Sequence, residues 1–303
     1  MTASRQAYSR NRLLKATALL FVTLSTVGPP CPAAAKPRLV WQDGWRRSGA
    51  PEYAVTGTAL AGAATVWFLV PPASEPLWTR PLFADRRMRE ALRLESDAGR
   101  NAAGIISDVW LSLSVTQPLV IDSLFVAALG DKNRDVALQM EAINMQSFAI
   151  TIFANTVAKR VFARQRPYGN NCLEDPNYTH SCESLDRFRS FYSGHAAVTA
   201  TSAGLVCSHH THLPLYGGGM ADSLACVGSV VSTLAVGSLR IASDRHWATD
   251  VITGHLLGFA AGYLLPTLLY YGSLRATPVS EAREDPNALM PTTPPLFVYS
   301  GVL

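Results

Sequence analysis

The sequence predicts an all-α fold, a six-helix membrane bundle, on three observations. Charged residues make up only 16% of the 303, well below the roughly 25% usual for soluble domains. Apolar segments of about bilayer length recur along the chain after residue 52. No run of any length alternates apolar and polar residues as a half-buried strand would. A net charge of +4 without a basic stripe interleaved with aromatics argues against nucleic acid. The competing reading of the same segments is a soluble, all-helical domain with buried helices.

Taken in order, residues 1–52 read as a signal or anchor segment and a linker. Arg10, Arg12 and Lys15 precede an apolar run from Ala16 to Val27, and Ala33-Ala34-Ala35 offers a cleavage site. Residues 36–52 are rich in proline and polar residues and are expected to carry no fold of their own. Residues 53–275 form the helical-bundle domain. Its segments are Tyr53 to Val70, ended by Pro71-Pro72; Val109 to Gly130, broken only by Asp122; Ala142 to Ala158; Ala196 to about Leu215; Ser223 to Leu239; and Val251 to Leu274. Their Gly, Ala, Ser and Thr content suits close helix packing within a bilayer. Between the first two, an arginine-rich stretch suggests an amphipathic surface helix around Asp85 to Leu94. Residues 276–303 read as a flexible tail.

Three short stretches carry chemistry. In "KRVFARQRPY", residues 159–168, Lys159 and Arg166 lie two helical turns apart and would project from one face, with Pro167 ending the helix. A guanidinium fork beside an ammonium suits a tetrahedral oxyanion, although basic residues flanking a membrane helix also anchor it at the interface. In "FYSGHAAVTA", residues 191–200, Ser193-Gly194-His195 stands before an apolar helix, where backbone N–H groups and the helix dipole favour an anion. In "LRIASDRHWATD", residues 239–250, Arg240 precedes His246 by six positions and Asp250 follows it by four. A carboxylate at that spacing can accept the Nδ1 proton of His246 and leave Nε2 as a nucleophile. It is equally suited to capping the helix.

Lys-x6-Arg-Pro, then Ser-Gly-His, then Arg-x5-His-x3-Asp resembles the three-part signature of the type 2 phosphatidic acid phosphatase superfamily. That superfamily also contains bacterial acid phosphatases and vanadium haloperoxidases. The resemblance covers about residues 53–275. It implies that His246 attacks phosphorus to form a phosphohistidine, with Asp250 holding its ring. His195 would protonate the leaving alkoxide and then serve as base for water. Lys159, Arg166, Arg240, Ser193 and Gly194 would hold the phosphoryl oxygens, so no metal and no cofactor is implied. Arg160 and Arg164 would be anchors. The implied substrate is a lipid phosphomonoester or diphosphate of the phosphatidate, phosphatidylglycerol phosphate or polyprenyl diphosphate class. A vanadate-dependent haloperoxidase, or a non-catalytic membrane protein that keeps the fold, would use the same pocket. Two positions depart from the family pattern: Tyr192 stands where proline is usual, and Leu239 where serine is usual.

The resemblance also implies a cell membrane with the active site on the periplasmic side, the alternative being a soluble periplasmic protein. In an oxidising compartment Cys172 and Cys182, ten positions apart in a polar loop, are expected to form a disulfide. Cys207 and Cys226 lie in apolar segments and read as packing residues. His209, His210 and His212 have no facing carboxylates in the sequence and read as a helix end, not a metal site. The arginines of 73–103 sit awkwardly with a periplasmic position for that stretch under the positive-inside rule.

Overall fold

The computed structural model of the protein describes residues 39–174 and 182–272. The expected leader, Cys31 and the expected tail lie outside those residues. Among the described residues every regular element is helical.

Several of the long helices start where a side chain caps the first turn. Helix α1 (Ala50–Leu69) opens at Gly49, whose N–H donates to Glu52 Oε2 at 2.8 Å, with Pro51 in its first turn. Helix α2 (Asp85–Leu92) is the predicted surface helix. Helix α3 (Asp97–Thr116) is capped by Ser96, whose Oγ accepts from Gly99 N at 3.1 Å. It runs on without a break as a π-helical stretch, Gln117–Gly130. Pro118 stands at that transition, and its carbonyl accepts from Ser123 Oγ (2.8 Å) and Asn144 Nδ2 (3.0 Å). Helix α4 (Arg134–Phe162) is capped by Asn133. Then come the short α5 (Tyr168–Glu174), a 3₁₀ turn (Leu185–Phe188), α6 (Gly194–His212), α7 (Met220–Ala242) and α8 (Ala248–Phe259). A π-helical turn (Ala260–Leu264) joins α8 to α9 (Leu265–Leu269).

Helix α6 is the axis of the bundle. It is buried along most of its length from Ala196 to His210 and packs against α3, α4, α7 and α8. Its contact with α8 is backbone against backbone. A Cβ on Gly258 would lie 2.1 Å from Ala197 O, and one on Gly262 would lie 2.0 Å from Thr201 O. Small residues at this seam therefore let the end of α8 and the π-helical turn after it press on the first turns of α6. A second core cluster, at the far end of α6, joins Met140, Ile143, Leu205, Leu213, Tyr270 and Tyr271.

Among the described residues, three helical stretches are long and apolar enough to cross a membrane: Asp97–Gly130, Met220–Ala242 and Ala248–Leu269. This is half the predicted number of spans. Helix α6, which occupies another predicted span, is covered by its neighbours instead. The outer faces of α3, α7 and α8 expose Ile105, Val109, Leu113, Leu224, Val227, Val231, Leu234, Ile252 and Leu256. Apolar rows of this extent suit contact with hydrocarbon.

Two expectations are corrected. The described part of the linker, from residue 39, is folded onto the bundle. Leu39 and Trp41 are buried, Trp45 packs edge-on to Tyr271 at 4.7 Å, and Arg46 N donates to Tyr270 O. Its aromatic residues supply the apolar area that its prolines concealed. Cys207 and Cys226 are not lone packing residues but a disulfide joining α6 to α7, with Cα atoms 4.4 Å apart. Cys172 and Cys182 form the expected disulfide.

Candidate active site

The chain brings the three motifs together at the N-terminal end of α6, although not as a single helical face. Helix α4 stops at Phe162 because Ala163 turns into the left-handed region (φ 37°, ψ 48°). Residues 164–166 then run extended: Gln165 N donates to Trp78 O, Ser190 N to Arg164 O, and Arg166 N to Arg187 O. Arg166 therefore reaches the site from an extended segment, and Lys159 reaches it from the last turn of α4. The expected helical pairing of the two is replaced by convergence.

Lys159 Nζ would lie 3.4 Å, and Asn155 Oδ1 2.9 Å, from a Cβ added to Gly194. Glycine is what lets the cation approach the α6 N-terminus so closely. Asn155 is fixed by its donation to Tyr192 O at 2.8 Å. Ser193 caps α6, its Oγ accepting from Ala196 N, and its own N–H donates to Asp250 O at 3.0 Å. Tyr192, at the position where the family pattern has proline, is buried and packs with Ala158 and Ala197.

His246 sits in the turn between α7 and α8. Its Nδ1 faces Ser190 O at 2.9 Å and its Nε2 lies 3.3 Å from Arg166 Nη1. A backbone carbonyl only accepts, so Nδ1 carries the proton and Nε2 keeps its lone pair on the side of Arg166. The turn is clamped from outside. Arg89 Nε donates to Asp244 Oδ1 at 2.6 Å, Arg93 Nε donates to Asp244 Oδ2 at 3.0 Å, and Arg166 Nη1 also donates to Arg245 O at 3.0 Å. Arginines of the 73–103 stretch thus hold the histidine turn, so their number reflects ion pairing as well as topology.

Asp250 does not take the Nδ1 proton directly. Its Oδ2 is 3.7 Å from His246 Nδ1 and is occupied by Ser190 Oγ (2.5 Å) and Trp247 N (3.0 Å), while Oδ1 binds Arg164 Nη1 (2.5 Å). Asp250 is the third residue of α8 and caps it, which points its carboxylate back along the helix start and away from the imidazole. It reaches His246 through Ser190, whose hydroxyl donates to it and whose carbonyl accepts the ring N–H hydrogen bond.

Arg164, expected as an anchor, is buried and bridges Asp250 to Asp85, also buried, at 2.6 Å, while lying 3.9 Å over the Trp78 ring. Arg160 instead donates to Trp67 O at 3.0 Å, beyond the end of the α1 backbone ladder.

His195 Nε2 lies 2.6 Å from Asp108 Oδ1, on α3, and Arg240 Nη1 donates to the same oxygen at 3.1 Å. Arg240 also donates to Ser107 Oγ at 2.9 Å. The hydroxyl next to this arginine comes from α3, not from position 239. Asp108, Ser190 and Asn155 went unnoticed in the sequence. The only signal for Asp108 was a carboxylate at the edge of an apolar run.

The site is electropositive, and Arg166, Arg240 and His246 are buried. Burial, then Arg166, Arg240 and Lys159, push the His246 pKa well below that of a free histidine. Burial, then Arg166, pull Lys159 down to about 7. Burial and Arg240 lower His195 to about 4, against the opposing pull of Asp108. A phosphate among these groups supplies the negative charge that favours their protonated forms. No group of three or more His, Cys, Asp or Glu side chains suited to a metal occurs among the described residues.

The family model of the PAP2 superfamily matches residues 143–273, which contain all eight motif residues. Neither a curated protein nor a solved structure matches the chain.

Proposed function

The chain is a member of the PAP2 superfamily, and from that premise we propose that it is a phosphoric ester hydrolase acting on a lipid phosphate through a phosphohistidine on His246. The observation that carries the reading is the state of His246: a buried imidazole with Nδ1–H tied to Ser190 O and a free-base Nε2 beside Arg166. Nε2 attacks phosphorus. Lys159, Arg166, Arg240, the Ser193 hydroxyl and the Gly194 N–H stabilise the oxygens on which charge develops. His195 gives a proton to the leaving oxygen and later takes one from the attacking water. The cations supply the electrostatic stabilisation, so turnover is expected to survive chelation.

A lipid substrate is supported by the helix that carries Asp108: α3 exposes Ile105, Val109 and Leu113 beside that residue in sequence, an apolar face suited to hydrocarbon. The proposed setting is a bacterial cell membrane with the active-site end toward the periplasm, a side that suits the Cys172–Cys182 disulfide next to the site.

The test is phosphate release from detergent-solubilised phosphatidate, phosphatidylglycerol phosphate and polyprenyl diphosphate with EDTA present. Release that persists with EDTA and vanishes in His246→Ala is the expected result. Release that persists in His246→Ala rejects the nucleophile. Vanadate-dependent bromide oxidation without phosphate release would place the chain with the haloperoxidases instead.

A further inference from the structure

The sequence motifs give His195 no orienting partner, yet the structure supplies one. Asp108 lies 87 positions upstream of His195 and outside the matched residues 143–273, on a different helix. Its Oδ1 accepts from Arg240 Nη1, which marks that oxygen as an acceptor. The His195 nitrogen facing it at 2.6 Å, Nε2, must then be the donor. The tautomer of His195 follows, and it is the reverse of that of His246.

We propose that Asp108 is the positioning residue of the proton-transfer step: it holds His195 by Nε2–H so that Nδ1 faces the bound phosphoryl group. With Nε2 held by Asp108, Nδ1 is the nitrogen left to serve the phosphoryl group. In the first half-reaction the His246 Nε2 lone pair forms the P–N bond and the P–O bond to the alcohol breaks. His195 enters this step protonated on both nitrogens, the bound phosphate's charge favouring that form, and the departing oxygen takes its Nδ1 proton. In the second, water attacks phosphorus, its proton goes to His195 Nδ1, and the P–N bond breaks to restore His246. Ester and water become alcohol and phosphate, and Asp108 keeps the Nε2–H bond throughout. The other charged or titratable groups around the ring are Lys159 from α4, Arg240 from α7 and His246 ahead of α8. Asp108 is the carboxylate set against them at this ring. Its side chain keeps 57% exposure, so exchanging it for an amide of the same shape leaves the bundle core untouched.

This inference rests on the phosphatase reading, and its test separates the two. An alkyl phosphate needs its leaving oxygen protonated, whereas p-nitrophenyl phosphate releases a stable phenolate without help. In Asp108→Asn, hydrolysis of detergent-solubilised phosphatidate should fall on the order of tens-fold, while the burst of p-nitrophenolate release should keep its rate to within about twofold. Ser107→Ala disturbs Arg240 but not His195, and should slow both substrates by a common factor. Equal losses on the two substrates in Asp108→Asn, or no loss on either, would overturn the assignment while a dead His246→Ala leaves the phosphatase reading standing. A leaving-group effect reproduced by Ser107→Ala would also overturn it, since the route would then run through Arg240. Turnover retained in His246→Ala removes the phosphatase reading and this assignment together.

Discussion

Replacing Arg164 by methionine tests how the site is built. Arg164 stands between Asp85 and Asp250, and all three side chains have no exposure. Removing the shared cation leaves two carboxylates buried without a counter-charge, and breaking a buried pair in this way costs about 3–5 kcal/mol. Part of that is offset. Asp85 keeps bonds from Thr249 N, Thr249 Oγ1 and Leu82 N, and Asp250 keeps Trp247 N and Ser190 Oγ. The expected loss is therefore at the lower end, about 3 kcal/mol. At about 2–4 °C per kcal/mol for a domain of this size, the melting temperature should fall by about 6–12 °C. The assay is thermal unfolding in detergent followed by tryptophan fluorescence, with Arg160→Met as the comparison. Arg160 bonds only backbone carbonyls near the surface, and its loss should stay within about 1 kcal/mol. A melting temperature for Arg164→Met within about 2 °C of the unaltered protein would refute the view that this arginine holds the site together.

Gly194→Ala pushes a methyl group toward Lys159 Nζ and Asn155 Oδ1. The apparent KM for phosphate substrates should rise, on the order of tenfold or more, with little change in melting temperature; an unchanged KM would show that Lys159 does not use this approach. The pH dependence of stability follows from His195 and His246. Both are bases whose folded pKa is depressed, by burial first and neighbouring cations second, so the unfolded chain binds their protons earlier as pH falls. Their contribution is complete above about pH 6.5 and is lost below it, for His195 over the window down to about 4, with a slope of about 1.4 kcal/mol per pH unit for each proton. The decline in melting temperature across that window should be shallower in His195→Gln; an identical decline would mean that His195 does not titrate as its surroundings require.

The local features were legible in the sequence because their causes are local. The apolar segments marked the helices, and Ser193-Gly194 before an apolar run marked a capped, anion-favouring N-terminus. His246 and the cations Lys159, Arg166 and Arg240 stood out because their residue types and spacing within short stretches form the proposed phosphate cradle. The end of α4 was misplaced because Pro167 is visible in the sequence, whereas the left-handed turn at Ala163 depends on residues 164–166 pairing with Trp78 and with residues 187–190. Linker residues 39–49 were read as unfolded because composition does not reveal the pocket that receives Trp41.

What the sequence determined by itself is the inventory: helices rich in small residues, a set of cations of the type that can hold phosphate, and two histidines chemically suited to attack and proton transfer. What only the tertiary structure decided is which partner each side chain takes. Asp250 is drawn from His246 by Arg164 and by the first turn of α8, and Ser190 O accepts the Nδ1–H hydrogen bond in its place. Asp108 reaches His195 from 87 positions away, and Arg164 links Asp250 to Asp85, 79 positions before it. Hydrogen bonds act over about 3 Å while the chain that joins their ends is far longer, so helix packing, set by glycines such as Gly258 and Gly262, fixes those choices.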